Sequence, residues 1–119
     1  MKHRATIPML RSFDEDKALA FYCEYLGFSI DWTHRFAADL PLFMQVSRDG
    51  IVLWITEHHG DTTPGSHIAV KVEGLAAFYA ELAARRHANI RPGLDAHIGG
   101  GLVVAVTDPF GNRIDFIED

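Results

Sequence analysis

The chain has a single cysteine, Cys23, so it can form no internal disulfide and offers no cysteine pair for a structural zinc ion. Cys23 falls within a helical pattern and reads as a packed thiol rather than a nucleophile. No apolar run is long enough to span a bilayer. Residues 1–11 carry early basic residues but no extended apolar stretch before a small-residue cleavage site, which makes a cytoplasmic chain without a secretory signal the expectation. An excess of positive charge is also missing. The formal charge of −5 over 119 residues disfavours nonspecific nucleic-acid binding and is compatible with a cationic ligand. No P-loop, G-x-S-x-G or H-E-x-x-H pattern occurs, and Gly99 to Gly101 lacks the strand-to-helix context of a phosphate loop.

What is present is a chain of single-domain size with nearly half its residues apolar. Ala5 to Arg11 reads as a short strand, placed at an edge or bulge by Pro8. Ser12 and Glu15 form an S-x-x-E capping box that opens a helix over about Phe13 to Leu26, with Leu19, Tyr22, Cys23 and Leu26 at helical spacing and Gly27 as a left-handed cap. Phe28, Ile30 and Trp32 then alternate with polar residues, the period of a half-buried strand. After a loop from Phe36 to Pro41, strands Leu42 to Ser47 and Ile51 to Glu57 flank Arg48, Asp49 and Gly50 as a hairpin. His58 to Ser66 is a linker; His58 and His59, being adjacent, would point apart on a strand and are not a joint chelate. His67 to Val72 is again a strand, and Leu75, Phe78, Tyr79 and Leu82 share a helix face. Arg85-Arg86-His87 ends that helix, where positive charge complements its dipole. Ile90 to Leu94 is a weak strand interrupted by Pro92, and Val103 to Ile117 closes the chain as a hairpin.

The order restarts half-way. Ala20-Phe21-Tyr22-Cys23-Glu24 is echoed by Ala77-Phe78-Tyr79-Ala80-Glu81, and Asp49-Gly50 by Phe110-Gly111, which sets Trp54 against Asp115. The expectation is one domain of two strand–helix–three-strand repeats, about residues 1–57 and 66–119, that pair in one chain or between chains. In the last strand Ile114 and Phe116 share one face, and Asp115 points to the other with Arg113 and Ile117. On a curled sheet Asp115 would enter a cavity; on a flat one it would meet water.

On these residues the chain resembles the vicinal oxygen chelate superfamily, which includes glyoxalase I, ring-cleaving dioxygenases and the bleomycin resistance proteins. Asp14 with Ala20-Phe21-Tyr22, Leu26-Gly27-Phe28, His67-Ile68-Ala69-Val70, Gly74-Leu75 and Asp108-Pro109-Phe110-Gly111-Asn112 with Ile114-Asp115-Phe116 carry the likeness. It implies an α+β fold of two βαβββ modules forming curled mixed sheets. The metal-ligand positions of that superfamily would fall on Ile7, Trp54, His67 and Asp115. Only His67 and Asp115 can bind an ion, and two donors leave a metal site poorly defined. They could instead form a hydrogen-bonded pair.

Ile7-Pro8-Met9-Leu10, Leu26-Gly27-Phe28-Ser29, Val72-Glu73-Gly74-Leu75 and Tyr79-Ala80-Glu81 are more similar to the bleomycin resistance proteins. That likeness implies a homodimer that sequesters a flat aromatic drug with a cationic tail and thereby confers resistance, with no cofactor, no membrane and no nucleic acid. Phe36 matches the family's stacking phenylalanine, while Gly99-Gly100-Gly101 stands where the family has Pro-Trp-Gly. Candidate ligand contacts are therefore Phe36, Trp54, His67, Asp115 and Trp32. Trp32 is also explained by burial beside Ile30, Trp54 equally by core packing, and Phe36 equally by an interface. The alternative is a metal-dependent lyase, isomerase or dioxygenase in which His67, Asp115 and Glu57 hold the ion.

Overall fold

The computed structural model describes residues 1–85, 87 and 90–119. Arg86, in the basic run, lies outside them. The elements are β1 (Met9–Arg11), a helix α1 (Glu15–Leu19) that continues as a π-helix (Ala20–Tyr25), β2 (Ser29–His34), β3 (Phe43–Arg48), β4 (Ile51–Thr56), β5 (His67–Lys71), α2 (Leu75–Ala84), β6 (Asp95–Ala96), β7 (Leu102–Thr107) and β8 (Arg113–Glu118). They form two 4-stranded mixed sheets of equivalent order, β1-β4-β3-β2 and β5-β8-β7-β6. In each, the first strand runs parallel to the last and the rest pair antiparallel. This is the α+β arrangement of two βαβββ modules that the sequence predicts.

Alternation decides which face is covered. Met44 and Val46 on β3, Leu53 and Ile55 on β4, Val104 and Val106 on β7, and Ile114 and Phe116 on β8 are buried. They join Phe21, Tyr22, Leu75 and Leu82 of the helices in one continuous core across both modules. The body measures 44 × 43 × 23 Å, and its short dimension accommodates about two layers at the ~10 Å spacing of packed elements. Helices therefore cover one face of each sheet, and the opposite faces are left largely open within the chain except along β8, where Asp115 and Ile117 are buried as well.

Local details differ from the sequence expectations. The helix is capped by Asp14, whose side chain accepts from Lys17 N at 3.0 Å. Ser12 is buried, and its amide instead extends the β1–β4 ladder to Thr56 O, so no Ser12–Glu15 capping box forms. Gly27 has φ +79 and ends the helix as expected, with Phe28 N bonded to Tyr22 O. The first strand begins only at Met9, after Pro8, and lies at a sheet edge. Ile90 makes only an isolated bridge with His87, and the pairing expected over Ile90 to Leu94 falls on Asp95–Ala96. The Asp49-Gly50 turn has positive φ at both residues, as a tight hairpin of right-handed twist requires.

The turn at residues 108–112 joins the modules. Asp108 is buried and accepts hydrogen bonds from Tyr22 Oη at 2.6 Å and from the amides of Phe110 and Asn112. Asn112 Nδ2 donates to Asp108 and to Arg11 O, each at 2.8 Å. Burial, reinforced by the Asp108 carboxylate, pushes the Tyr22 hydroxyl well above its usual range, so it stays a donor. The Asp-Pro-Phe-Gly-Asn motif is thus an inter-module clasp.

Candidate functional site

On the open face of the N-terminal sheet, β2 does not follow simple alternation. Ile30 pairs with Val46 and Trp32 with Gln45, so Asp31 is an extra residue in a β-bulge. The bulge turns Trp32 away from the face of Ile30 and onto the open side with Phe43 and Gln45. Trp32 is 38% exposed and Ile30 44%, which corrects the expectation that the two are buried together. Its ring stacks on Phe43 at 5.5 Å and 19°, and Trp54 meets both rings edge-on at 6.1 and 5.5 Å. The result is a continuous aromatic surface facing outward.

A polar relay borders these rings. Trp54 Nε1 donates to Gln45 Oε1 at 2.8 Å, and Gln45 Nε2 donates to Asp31 Oδ2 at 3.0 Å. Ser47 Oγ donates to the other Asp31 oxygen at 3.0 Å. These hydrogen bonds hold the Asp31 carboxyl below the usual carboxylate range, so a fixed negative charge stands in solvent beside the aromatic surface. Phe36 lies beyond β2, 74% exposed, with His34 at 4.6 Å and His58 at 5.9 Å, both edge to face.

The C-terminal sheet carries a polar cluster instead. His67 Nε2 donates to Asp115 Oδ2 at 2.8 Å, and Arg113 Nε donates to Asp115 Oδ1 at 2.8 Å. Burial raises the Asp115 pKa, but the hydrogen bonds and charges of Arg113 and His67 outweigh it, and the carboxyl titrates below its usual range. The hydrogen-bonded pair is present, with Arg113 as a partner that the sequence reading lacked. No hydrogen bond or ring contact among the described residues joins this cluster to Trp32 and Trp54, so the candidate residues fall into separate groups.

A divalent ion does not fit these donors. His67 and Asp115 are engaged with each other, Arg113 occupies the second Asp115 oxygen, and Trp54 supplies no ligand atom. Glu57, the further candidate donor, accepts from Leu42 N at 2.8 Å and lies 4.0 Å from Arg35, bracing the loop before β3. Among the described residues no three His, Cys, Asp or Glu side chains converge.

Sequence reasoning missed Phe43 and Asp31. Phe43 was within reach: a tight turn at Asp49-Gly50 sets Gln45 opposite Trp54, and period two puts Phe43 on the same face. Asp31 was not, because only the bulge brings it there.

A family model described as glyoxalase superfamily protein matches residues 1–119. The chain belongs to the glyoxalase superfamily. Among solved structures, it is similar to a bleomycin-binding protein from bleomycin-producing Streptomyces verticillus complexed with copper(II)-bleomycin, at 26% identity over 100% of this chain and 98% of that one, TM-score 0.73. A bleomycin-binding protein complexed with bleomycin is 24% identical over 98% and 99% of the two chains, TM-score 0.73. An antibiotic-binding protein from Streptomyces sp. CB03234 is 20% identical over 98% and 96%, TM-score 0.74. A search of curated protein sequences finds no match. No described helix is long and apolar enough to cross a membrane.

Proposed function

We propose that this protein binds and sequesters a flat, cationic aromatic antibiotic of the bleomycin kind, without a metal of its own, and so confers resistance. The observation that carries this reading is the outward-facing surface of Trp32, Phe43 and Trp54 with the Asp31 carboxylate at its border. Each ring offers stacking or cation–π attraction of about 0.5–2 kcal/mol, so a ligand spanning several is held by their sum. The likeness to bleomycin-binding proteins over nearly the whole chain supports the same reading.

The protein acts as a homodimer in the cytoplasm. Met9 and Trp32 are large apolar side chains left exposed on the open face of the N-terminal sheet, and a second copy would cover part of this surface and wall the aromatic face into a groove. His67 and Asp115 would line that groove from the C-terminal sheet, and Phe36 would close one end. Sedimentation equilibrium of the purified protein should return twice the chain mass; a monomer mass would remove the dimer.

Calorimetric titration of chelator-treated protein with metal-free bleomycin tests the ligand. Saturable binding near one drug per chain is the expected result. Absence of saturable heat would exclude this drug, and binding only after a divalent ion is restored to the protein would return the metal-dependent alternative.

A further inference from the structure

The two modules meet at two junctions that the internal repeat makes equivalent. Ser12 N bonds to Thr56 O at 2.9 Å in the first module, and Val72 N to Ile117 O at 2.8 Å in the second, so Ser12 corresponds to Val72 and Phe13 to Glu73. Each junction is closed by a hairpin turn of the other module. At the first, the turn at residues 108–112 brings Phe110 against Phe13, ring centroids 6.0 Å apart. At the second, the turn is only Asp49-Gly50, with nothing within 4 Å of where a Gly50 side chain would begin, and the counterpart of Phe13 is the exposed Glu73. Among the described residues no counterpart of the Phe13–Phe110 pair stands here; the rings on this side, Phe78 and Phe116 with centroids 4.8 Å apart, lie in the wall and leave the junction itself open.

What remains there is a cavity of about 480 Å³, within the range of small-molecule sites. Phe28, Ile51, Val72, Phe78 and Phe116 give it apolar walls. Its cations are already neutralised. Arg48 spans Glu81 with two hydrogen bonds at 2.9 Å and pairs with Asp49 at 3.2 Å, while Lys71 pairs with Asp119 at 2.7 Å. Glu73 is the lining carboxylate with no ion pair among the described residues. We propose that this cavity is a second small-molecule site, separate from the aromatic sheet face, that takes one aromatic ring carrying a positively charged amine. The ring replaces the missing Phe13–Phe110 pair, and the ammonium sits at Glu73.

Benzylamine and phenylacetate, alike in ring and opposite in charge, test this by amide chemical-shift titration of the full chain. Benzylamine should shift the Val72, Glu73 and Phe78 amides saturably, and phenylacetate should bind about threefold or more weaker, the scale of an exposed charge contact. Glu73→Gln should erase that preference while retaining the shifts. Ala77→Phe, a ring added to the cavity wall, should abolish binding of both; should that variant fail to fold, the charge preference and its loss in Glu73→Gln decide. Equal binding of the two probes, shifts elsewhere than at these amides, or undiminished binding in folded Ala77→Phe would overturn the proposal.

Discussion

Where the N-terminal sheet has Trp54, beside Met9 on β1 and opposite Gln45 on β3, the C-terminal sheet has Asp115, beside Ala69 and opposite Ala105. The backbones around the two residues pair in the same register, yet one sheet turns stacked rings outward and the other an ion-paired cluster. A repeat fixes positions on the sheet but leaves their chemistry free, because outward-facing side chains do not have to fill the shared core. The inter-module turns show the same divergence. Asp108 is buried with donors on every side, whereas Arg48 reaches across a cavity to Glu81 and Leu26 O.

The sharpest way to break this comparison is at the clasp. Asp108→Ala should destabilise the fold by about 3–4 kcal/mol, since it leaves the Tyr22 hydroxyl and the turn amides without an acceptor. Arg48→Ala, at the equivalent turn, should cost only about 1 kcal/mol. Urea denaturation of the two variants measures both, and equal losses would mean that the junctions are alike. For the sheets, Trp54→Ala should weaken bleomycin binding about tenfold, a loss of about 1.4 kcal/mol. Asp115→Ala should leave it within about twofold, as a polar contact at the rim of the groove. Calorimetry distinguishes them, and a larger effect of Asp115 would move the site to the other sheet.

Phe36→Ala should reduce affinity about threefold with the melting temperature nearly unchanged, because its exposed ring adds little to the core. Unchanged affinity would remove Phe36 from the site. The smallest effect is one of pH. Asp115 has a folded-state pKa below its unfolded value, so its stabilisation is complete above about pH 4 and is lost as pH falls through the folded value. Asp115→Asn should therefore flatten the acid limb of the urea midpoint plotted against pH, while Trp54→Ala should leave that limb in place.

Much of the fold was legible because local patterns and global packing agree. The Asp49-Gly50 turn, the Gly27 cap and the alternation of Ile114 and Phe116 each depend on a few neighbouring residues. The Ser12 capping box failed because the β1–β4 ladder took the Ser12 amide, a partner remote in sequence. Trp32 was misplaced for a related reason: alternation assumes an unbroken ladder, and the Asp31 bulge reverses the face of every later residue on that strand.

By itself the sequence determined the module order, the core-facing residues and the opposition of Trp54 to Asp115, since periods of 2 and 3.6 and the turn residues are local rules. Only the tertiary structure decided that Trp32, Phe43 and Trp54 form one surface bordered by Asp31, that Arg113 completes the His67–Asp115 pair, and that Glu57 braces a loop. Those outcomes depend on strand register, a bulge and contacts between residues far apart in the chain, and no local periodicity encodes them.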